Sequence, residues 1–423
     1  MLNTADWAWE TGRKTVAELD KWEDEYSYIE EPYAAPDGES VSAVVRNDEM
    51  EFTICTQRGG PSIQAWENTY DKIWNLQYGP DNRLSAFVSE MAEWTVSTDD
   101  EAWENTYEFV WKMTIGHNGG NIAACSQSEL RYGVIVNDNP WERNFSRLNS
   151  MIMSFDGNRT AAVVETEPVL EGEIFKFRKG CYSVAVDGKP WDKSFMNVWD
   201  PCFSSDGQHT AASVRHNYYE YTIAVDGKPW NNSYGSVWEP RFSPVDASVT
   251  APVKQNGKWY LARDGETFWE RGYTQLWRHF YIGDGTSIAA IVAPTYGRWT
   301  LCVDNVPWST TFDEYLTDPV VSPGGTTLAA VFKDRGNWGI VVNDKPWEGR
   351  FDMAFAPVFS PDGDHVAAKV EKNGKYHIAI DGKIRDTAYS RLENPVFSPD
   401  SSRILIRGME NDKFTREVID IKE

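Results

Sequence analysis

Apolar and polar residues alternate along most of this chain in runs of five to seven, and turn-forming residues separate the runs. Tyr221-Thr222-Ile223-Ala224-Val225 is representative: β-prone throughout, and followed directly by Asp226-Gly227. Alternation with a period of two puts one set of side chains on a buried face, and Asp-Gly between two such runs closes a tight hairpin. No apolar stretch reaches the ~20 residues that a membrane-spanning helix needs. The pattern predicts short strands joined by tight turns.

The strands recur as a unit. A repeated tryptophan stands at Trp66, Trp103, Trp141, Trp191, Trp230, Trp269, Trp308 and Trp347, at intervals of 37, 38, 50, 39, 39, 39 and 39 residues. It ends the motif Val-Asp-Gly-Lys-Pro-Trp, complete at 186–191 and 225–230 and degenerate at 136–141, 303–308 and 342–347. Five residues before the motif Asp or Asn comes another aromatic, as at Trp94, Tyr132, Tyr182, Tyr221 and Trp259. Eight residues after the motif Trp a further one often follows, at Trp74, Trp111, Trp199, Trp238, Trp277 and Phe355. A Ser-Pro-Asp-Gly turn, clearest at Ser360-Pro361-Asp362-Gly363 and Ser204-Ser205-Asp206-Gly207, recurs in ten copies when eroded ones are counted. A small-apolar strand follows most of them, such as Ala211-Ala212 or Ala329-Ala330. Pro presets φ for the reversal, and Asp-Gly supplies side-chain bonding and a positive φ.

A unit of about 39 residues thus holds four short strands. The expected fold is all-β, a single β-propeller of four-stranded blades with about ten repeats over residues 1–423. Ten exceeds the usual four to eight blades. The paired alanines suit inner strands, where sheets approach closely; the tryptophan pair suits the wider outer gaps. Trp22 stands ten residues before Pro32, as Trp191 does before Pro201, so residues 1–36 read as the outer part of a blade that lacks its inner part. The C-terminal runs Arg403-Ile404-Leu405-Ile406 and Val418-Ile419-Asp420-Ile421 supply the converse. The two ends are expected to share one blade and close the ring, which leaves no sheet edge open.

Composition narrows the function. Twenty Trp, 19 Tyr and 19 Phe supply large buried areas, and their fixed repeat positions assign them to packing rather than to electron relay. A formal charge of −23 argues against binding nucleic acid or anionic lipid. The five cysteines are scattered and the N-terminus carries no basic-then-apolar leader, which fits a cytoplasmic protein with reduced thiols.

Candidate chemistry is sparse. The chain has no Cys-x-x-Cys, no Cys-x-x-Cys-His, no Gly-rich phosphate loop and no Gly-x-Ser-x-Gly. No catalytic, cofactor-binding or metal-binding residues are expected. His209 and His365 hold one repeat position and read as structural, as do the repeated turn residues Asp187, Asp226, Asp304 and Asp381. Where the repeat breaks, function is best sought. The 50-residue interval carries an insertion at 165–180, expected as an extended hairpin that displays Glu171, Phe175, Lys176, Phe177 and Arg178 for docking. Trp7 and Trp9 lie outside the repeat and join the candidate docking set.

The turn followed by a small-residue strand resembles the WD40-like repeat of TolB-type propellers. The tryptophan density, the Val-Asp-Gly-Lys-Pro-Trp motif, the length and the acidity resemble the tryptophan-rich cytoplasmic subunits of the Tmc transmembrane redox complex of sulfate-reducing bacteria. That resemblance implies a non-catalytic scaffold without a redox centre, peripheral to the inner membrane. Its implied partners are cytochrome c, iron–sulfur and integral membrane subunits. The alternatives are a propeller whose central channel binds a ligand or catalyses a reaction, and a free cytoplasmic adaptor.

Overall fold

The computed structural model describes residues 4–47, 49–117 and 119–421. Its strands form ten antiparallel sheets, each built on a four-strand order, arranged as one propeller. Blades 1 to 9 run consecutively over 28–65, 72–102, 109–140, 148–190, 197–229, 236–267, 275–307, 315–346 and 353–384. Blade 10 takes three strands from 391–420 and its fourth from Gly12–Glu18, which pairs antiparallel with Lys413–Asp420 in the register Gly12↔Val418. The two chain ends therefore share a blade, but of the expected 1–36 only Gly12–Glu18 belongs to it: Tyr28–Ile29 and Tyr33–Ala34 pair with Val41–Arg46 as the innermost strand segments of blade 1.

The turns divide the ring into two faces. The first turns of all blades and the third turns of blades 1 to 9 lie on one face, called here the Asp face; the second turns and the blade-to-blade loops reach the other, the open face. On the Asp face the third turn is a two-residue reversal with positive φ at both positions, for example Asp187 (48°) and Gly188 (80°). Blade 1 turns on Gly59-Gly60, whereas in blades 2 to 9 the first of these residues is Asp or Asn for a mechanical reason. Its Oδ1 accepts the backbone N–H that starts the second strand: Thr160 to Asp187 at 2.9 Å, Leu328 to Asn343 at 2.9 Å, Val366 to Asp381 at 2.9 Å. Amide and carboxylate oxygens serve equally, so charge is not what the position selects.

First turns interlock around the ring. A Cβ at Gly325 would lie 2.2 Å from the Gly283 Cα of the preceding blade, and one at Gly119 would lie 2.4 Å from the Asp81 carboxylate. These glycines are needed for close approach as well as for positive φ.

The motif tryptophans are wedges between blades. Trp141 leaves blade 3 and packs under the third turn of blade 4, where a Cβ on Gly188 would be 3.2 Å from the Trp141 Cβ; Trp191 and Gly227 repeat the contact. Their indole Nε1 groups donate to Thr160 and Thr210 of the next blade, each at 3.0 Å. Trp22 occupies the same station ahead of blade 1, fully buried and donating to Gln57 Oε1 at 2.8 Å. Four residues on stands a further aromatic, such as Phe145, Phe195 or Tyr273, buried and bridged to the third-strand aromatic.

The second set of tryptophans departs from expectation. Trp74, Trp199 and Trp238 lie not in outer gaps but on the first, innermost strands, and are 37%, 40% and 42% exposed. The paired alanines sit one strand further out, as in Thr210–Asn217, fully buried between sheets. Small residues are demanded where two sheets close on a middle strand, whereas rings at the axis have only the open channel beside them.

Candidate interaction surfaces

The insertion emerges from the second turn of blade 4, on the open face. Its root is fixed: Thr166 N donates to Cys181 O at 2.8 Å and Thr166 Oγ1 bonds Ser194 Oγ at 2.8 Å. The expected hairpin is not formed; the segment carries a short helix, Ile174–Lys179, between Gly172 (φ 92°) and Gly180 (φ 102°). Pro168 and the two left-handed glycines interrupt any ladder, so the chain folds on itself instead. Leu170 N donates to Glu173 Oε2 at 2.8 Å, and Lys176 Nζ to Pro168 O at 2.5 Å. Arg178 lies over the Tyr218 ring of blade 5, 5.3 Å from its centroid. No residue of the helix is buried: Phe175 is 80% exposed, Glu171 and Arg178 are exposed, and Lys176 and Phe177 are half-buried.

Trp7 and Trp9 lie on the opposite face. Their rings stack at 6.2 Å, and Trp9 Nε1 donates to Thr4 O at 3.0 Å. Arg403 Nη1 donates to Trp9 O at 2.6 Å, and Arg416 reaches Ala8 O, which ties the segment to blade 10. With the first turns of blades 1 to 3 it lines a cleft of about 820 Å³ that includes Asp6, Trp7, Lys14, Asp37, Asp81 and His117. The candidate docking residues are thus split between two faces and form no single site.

The channel waist was invisible as a site in the sequence. Each innermost strand bulges or breaks at one station, with a left-handed residue at Asn75, Lys112, Ser150, Asp200, Arg278 and Asp318. Neighbouring stations touch: Arg278 N donates to Glu239 Oε1 at 3.1 Å, and its guanidinium meets Asp318 Oδ1 at 3.3 Å. Burial raises the Asp200 carboxyl pKa above its usual value. The half-exposed tryptophans stand beside this ring, each against a third-strand aromatic, as Trp238 stacks on Trp259 at 5.4 Å.

His209, His365, His279 and the cysteine thiols are committed to structure. His209 and His365 bond Asp226 and Asp381 through Nδ1, both at 2.7 Å. His279 is fully buried, bonds Thr250 Oγ1 at 3.0 Å, and has its pKa pushed down to about 3 by burial and by Arg241. Burial raises the thiols of Cys125 and Cys202 to about 12, and those of Cys181 and Cys302 to about 11, far from the thiolate form a nucleophile needs. Among the described residues no group of three or more His, Cys, Asp and Glu is placed to hold a metal. No helix among them is long and apolar enough to cross a membrane.

A further surface went unnoticed in the sequence. On the open face the second turns of blades 1, 2 and 3 expose Met50, Met91 and Leu130, at 63%, 84% and 77%. The clue was available: other repeats place Asn256-Gly257 or Asn373-Gly374 at this turn.

No protein-family model and no curated protein matches the chain. Matches among solved structures are numerous but distant. The crystal structure of a eukaryotic initiation factor aligns at 10% identity and TM-score 0.46, covering 90% of this chain and 97% of that one. The Dos1 propeller aligns at 9% and 0.36, covering 96% and 95%. TolB from Acinetobacter baumannii aligns at 14% and 0.31, covering 73% and 78%. At these identities the likeness concerns the propeller fold alone, and the resemblance to a redox-complex subunit is carried forward only as a proposal.

Proposed function

We propose that the chain is a non-catalytic interaction scaffold whose open face docks a partner subunit, with the blade 4 insertion as its principal contact. The observation that carries this is Phe175, 80% exposed on a helix with no buried residue, above a root that is firmly bonded. An aromatic held out from a rigid ring is the kind of anchor that interfaces bury at their centre. The sequence resemblance supplies the setting: the cytoplasmic side of a membrane electron-transfer complex, with this subunit carrying no redox centre.

The test is purification from native membranes in mild detergent, with a visible absorption spectrum of the eluate. Co-elution with haem and iron–sulfur subunits, lost when Glu171 to Arg178 is replaced by a short turn, is the expected result. A colourless lone protein, or a complex indifferent to the deletion, removes the reading. A second reading, ligand binding in the channel, is favoured by the half-exposed Trp74, Trp199 and Trp238 beside Asp200. Quenching of tryptophan fluorescence by a small ligand, abolished by Trp199→Ala with Trp238→Ala, would establish it.

A further inference from the structure

Seven of the second turns, those of blades 1 to 3, 6 and 8 to 10, do the same geometric job with two different chemistries. In blades 6, 8, 9 and 10 their tips are Asn256-Gly257, Arg335-Gly336, Asn373-Gly374 and Asn411-Asp412. These suit a left-handed turn, since Gly and Asn adopt positive φ with least strain. In blades 2 and 3 the same positions are Met91-Ala92 (φ 50° and 65°) and Glu129-Leu130 (52° and 58°), and blade 1 places Met50 at φ 69°. A bulky apolar residue there is both strained and exposed. Nothing in the fold requires it, because blades 6, 8, 9 and 10 make the turn without it; blades 5 and 7 expose Tyr219 and Tyr296 there instead, at 87% and 96%. The turn of blade 2 is anchored in the ordinary way, Met91 N donating to Asp71 Oδ2 at 2.7 Å, as Arg335 N does to Asp313 Oδ1 at 3.1 Å in blade 8.

The charges divide along the same line. Met50 lies between Glu49 and Glu51, Met91 is flanked by Glu90 and Glu93, and Leu130 lies between Glu129 and Arg131, so the acidic surround is densest at blades 1 and 2. No salt bridge among the described residues engages any of these five glutamates. On the other half the turns end in Lys258, Lys375 and Lys413. Glu51 and Glu93 accept hydrogen bonds from the Thr69 and Thr106 hydroxyls but face no cation among the described residues. Exposed thioether and leucine side chains set among carboxylates without a basic partner match a ligand with an apolar stripe and cationic flanks.

We propose that the second turns of blades 1 to 3 form an acidic, apolar crest that binds a basic amphipathic segment of the partner polypeptide. This rests on the scaffold reading and names the chemistry of what the scaffold holds. Apolar tips on three successive blades would take the stripe of an amphipathic helix, and the glutamates its lysines or arginines.

The test uses the full chain and a fluorescent synthetic helix of about five turns, leucine on one face and lysine on the other. Its controls are the leucine–glutamate counterpart and a scrambled leucine–lysine isomer. The wild-type chain is expected to bind the first at least about tenfold more tightly than either control, with affinity falling as salt rises. The variant M91N/A92G/L130G restores the turn chemistry of the other blades, so it is expected to keep or raise the melting temperature. It should lose at least about tenfold in peptide affinity. Equal binding by variant and wild type, or equal binding of the acidic or scrambled peptide, overturns the proposal. So does a wild-type dimer in sedimentation that the variant dissolves, since the occupant is then a second copy of this chain. If the variant still recovers the native partner while the insertion deletion does not, the crest falls and the scaffold reading stands. If the insertion deletion leaves the partner in place, the scaffold reading falls whatever the peptide does.

Discussion

The two faces of this ring are built from the same repeated strands under opposite constraints. On the Asp face the third turns of blades 2 to 9 bond their own second strands, and first turns touch the blade before them, so a residue there answers to two neighbours at once. On the open face a second turn answers mainly to its own hairpin, and positions such as Gly257, Gly336 and Gly374 have nothing within 4 Å of where a Cβ would be. Repetition of sequence on the first face reflects mechanical necessity. Variation on the second marks where side chains are free to serve something outside the ring.

The largest expected difference comes from adding one methyl group to each face. Gly325 and Gly374 have nearly the same φ, 71° and 70°. Gly325→Ala drives its Cβ to 2.2 Å from the Gly283 backbone, whereas Gly374→Ala meets open space. The first substitution is expected to destabilise by about 4 kcal/mol or to prevent folding, the second by about 1 kcal/mol. Urea midpoints for the two variants check this; equal losses would mean that first turns do not brace the ring.

A smaller contrast separates the two kinds of tryptophan. Trp191→Ala removes an inter-blade wedge and the bond to Thr210, with an expected loss of about 3 kcal/mol. Trp199→Ala, on the innermost strand and 40% exposed, should cost about half of that. Reversal of the order in thermal melts would assign the channel aromatics a structural role.

These contrasts show what could be read beforehand. Spacing alone revealed ten repeats, the shared closing blade and a structural turn role for the repeated aspartates, because each is a local pattern repeated with a fixed period; the strand-start N–H that each aspartate holds is seen only in the structure. Depth within a blade was misread for Trp74, Trp199 and Trp238, since period-two alternation says which side of a strand a residue takes and nothing about which strand is innermost. The insertion stood out by length, but Ile174–Lys179 has too few residues for its conformation to show as a period. Met50, Met91 and Leu130 were missed for another reason. Single apolar residues in turns are unremarkable until the left-handed backbone beneath them is seen.

Within the ring, acid tests the packing between blades. His279 sits buried between blades 6 and 7, its Nδ1 without a hydrogen-bond partner, and Arg241 adds to the resistance against a second positive charge. Its folded pKa of about 3 lies below the ordinary 6.5, so the unfolded chain takes up a proton that the folded chain refuses. Its contribution to stability is complete above pH 6.5 and declines as pH falls toward 3, by about 1.4 kcal/mol per unit at most. Stability measured against pH for wild type and His279→Gln should diverge in that window. Parallel curves would mean that the imidazole reaches water.

The smallest expected effect bears most directly on whether the repeated carboxylates do chemistry. Asp187 accepts the Thr160 N–H at 2.9 Å and pairs with Arg159 at 2.9 Å, both on the protein surface side of the turn. Asn137 and Asn343 fill the equivalent station and accept the same bond through an amide oxygen. Asp187→Asn is therefore expected to shift stability by no more than about 0.5 kcal/mol, the worth of one exposed ion pair. Asp187→Ala should cost about 1 kcal/mol, the worth of the lost bond. Position 187 would then be defined by the oxygen and not by the charge, and a carboxylate that an amide replaces without consequence is neither an acid nor a metal ligand. A loss of partner binding in Asp187→Asn, with stability unchanged, would instead move the functional surface to the Asp face and undo the division between the two.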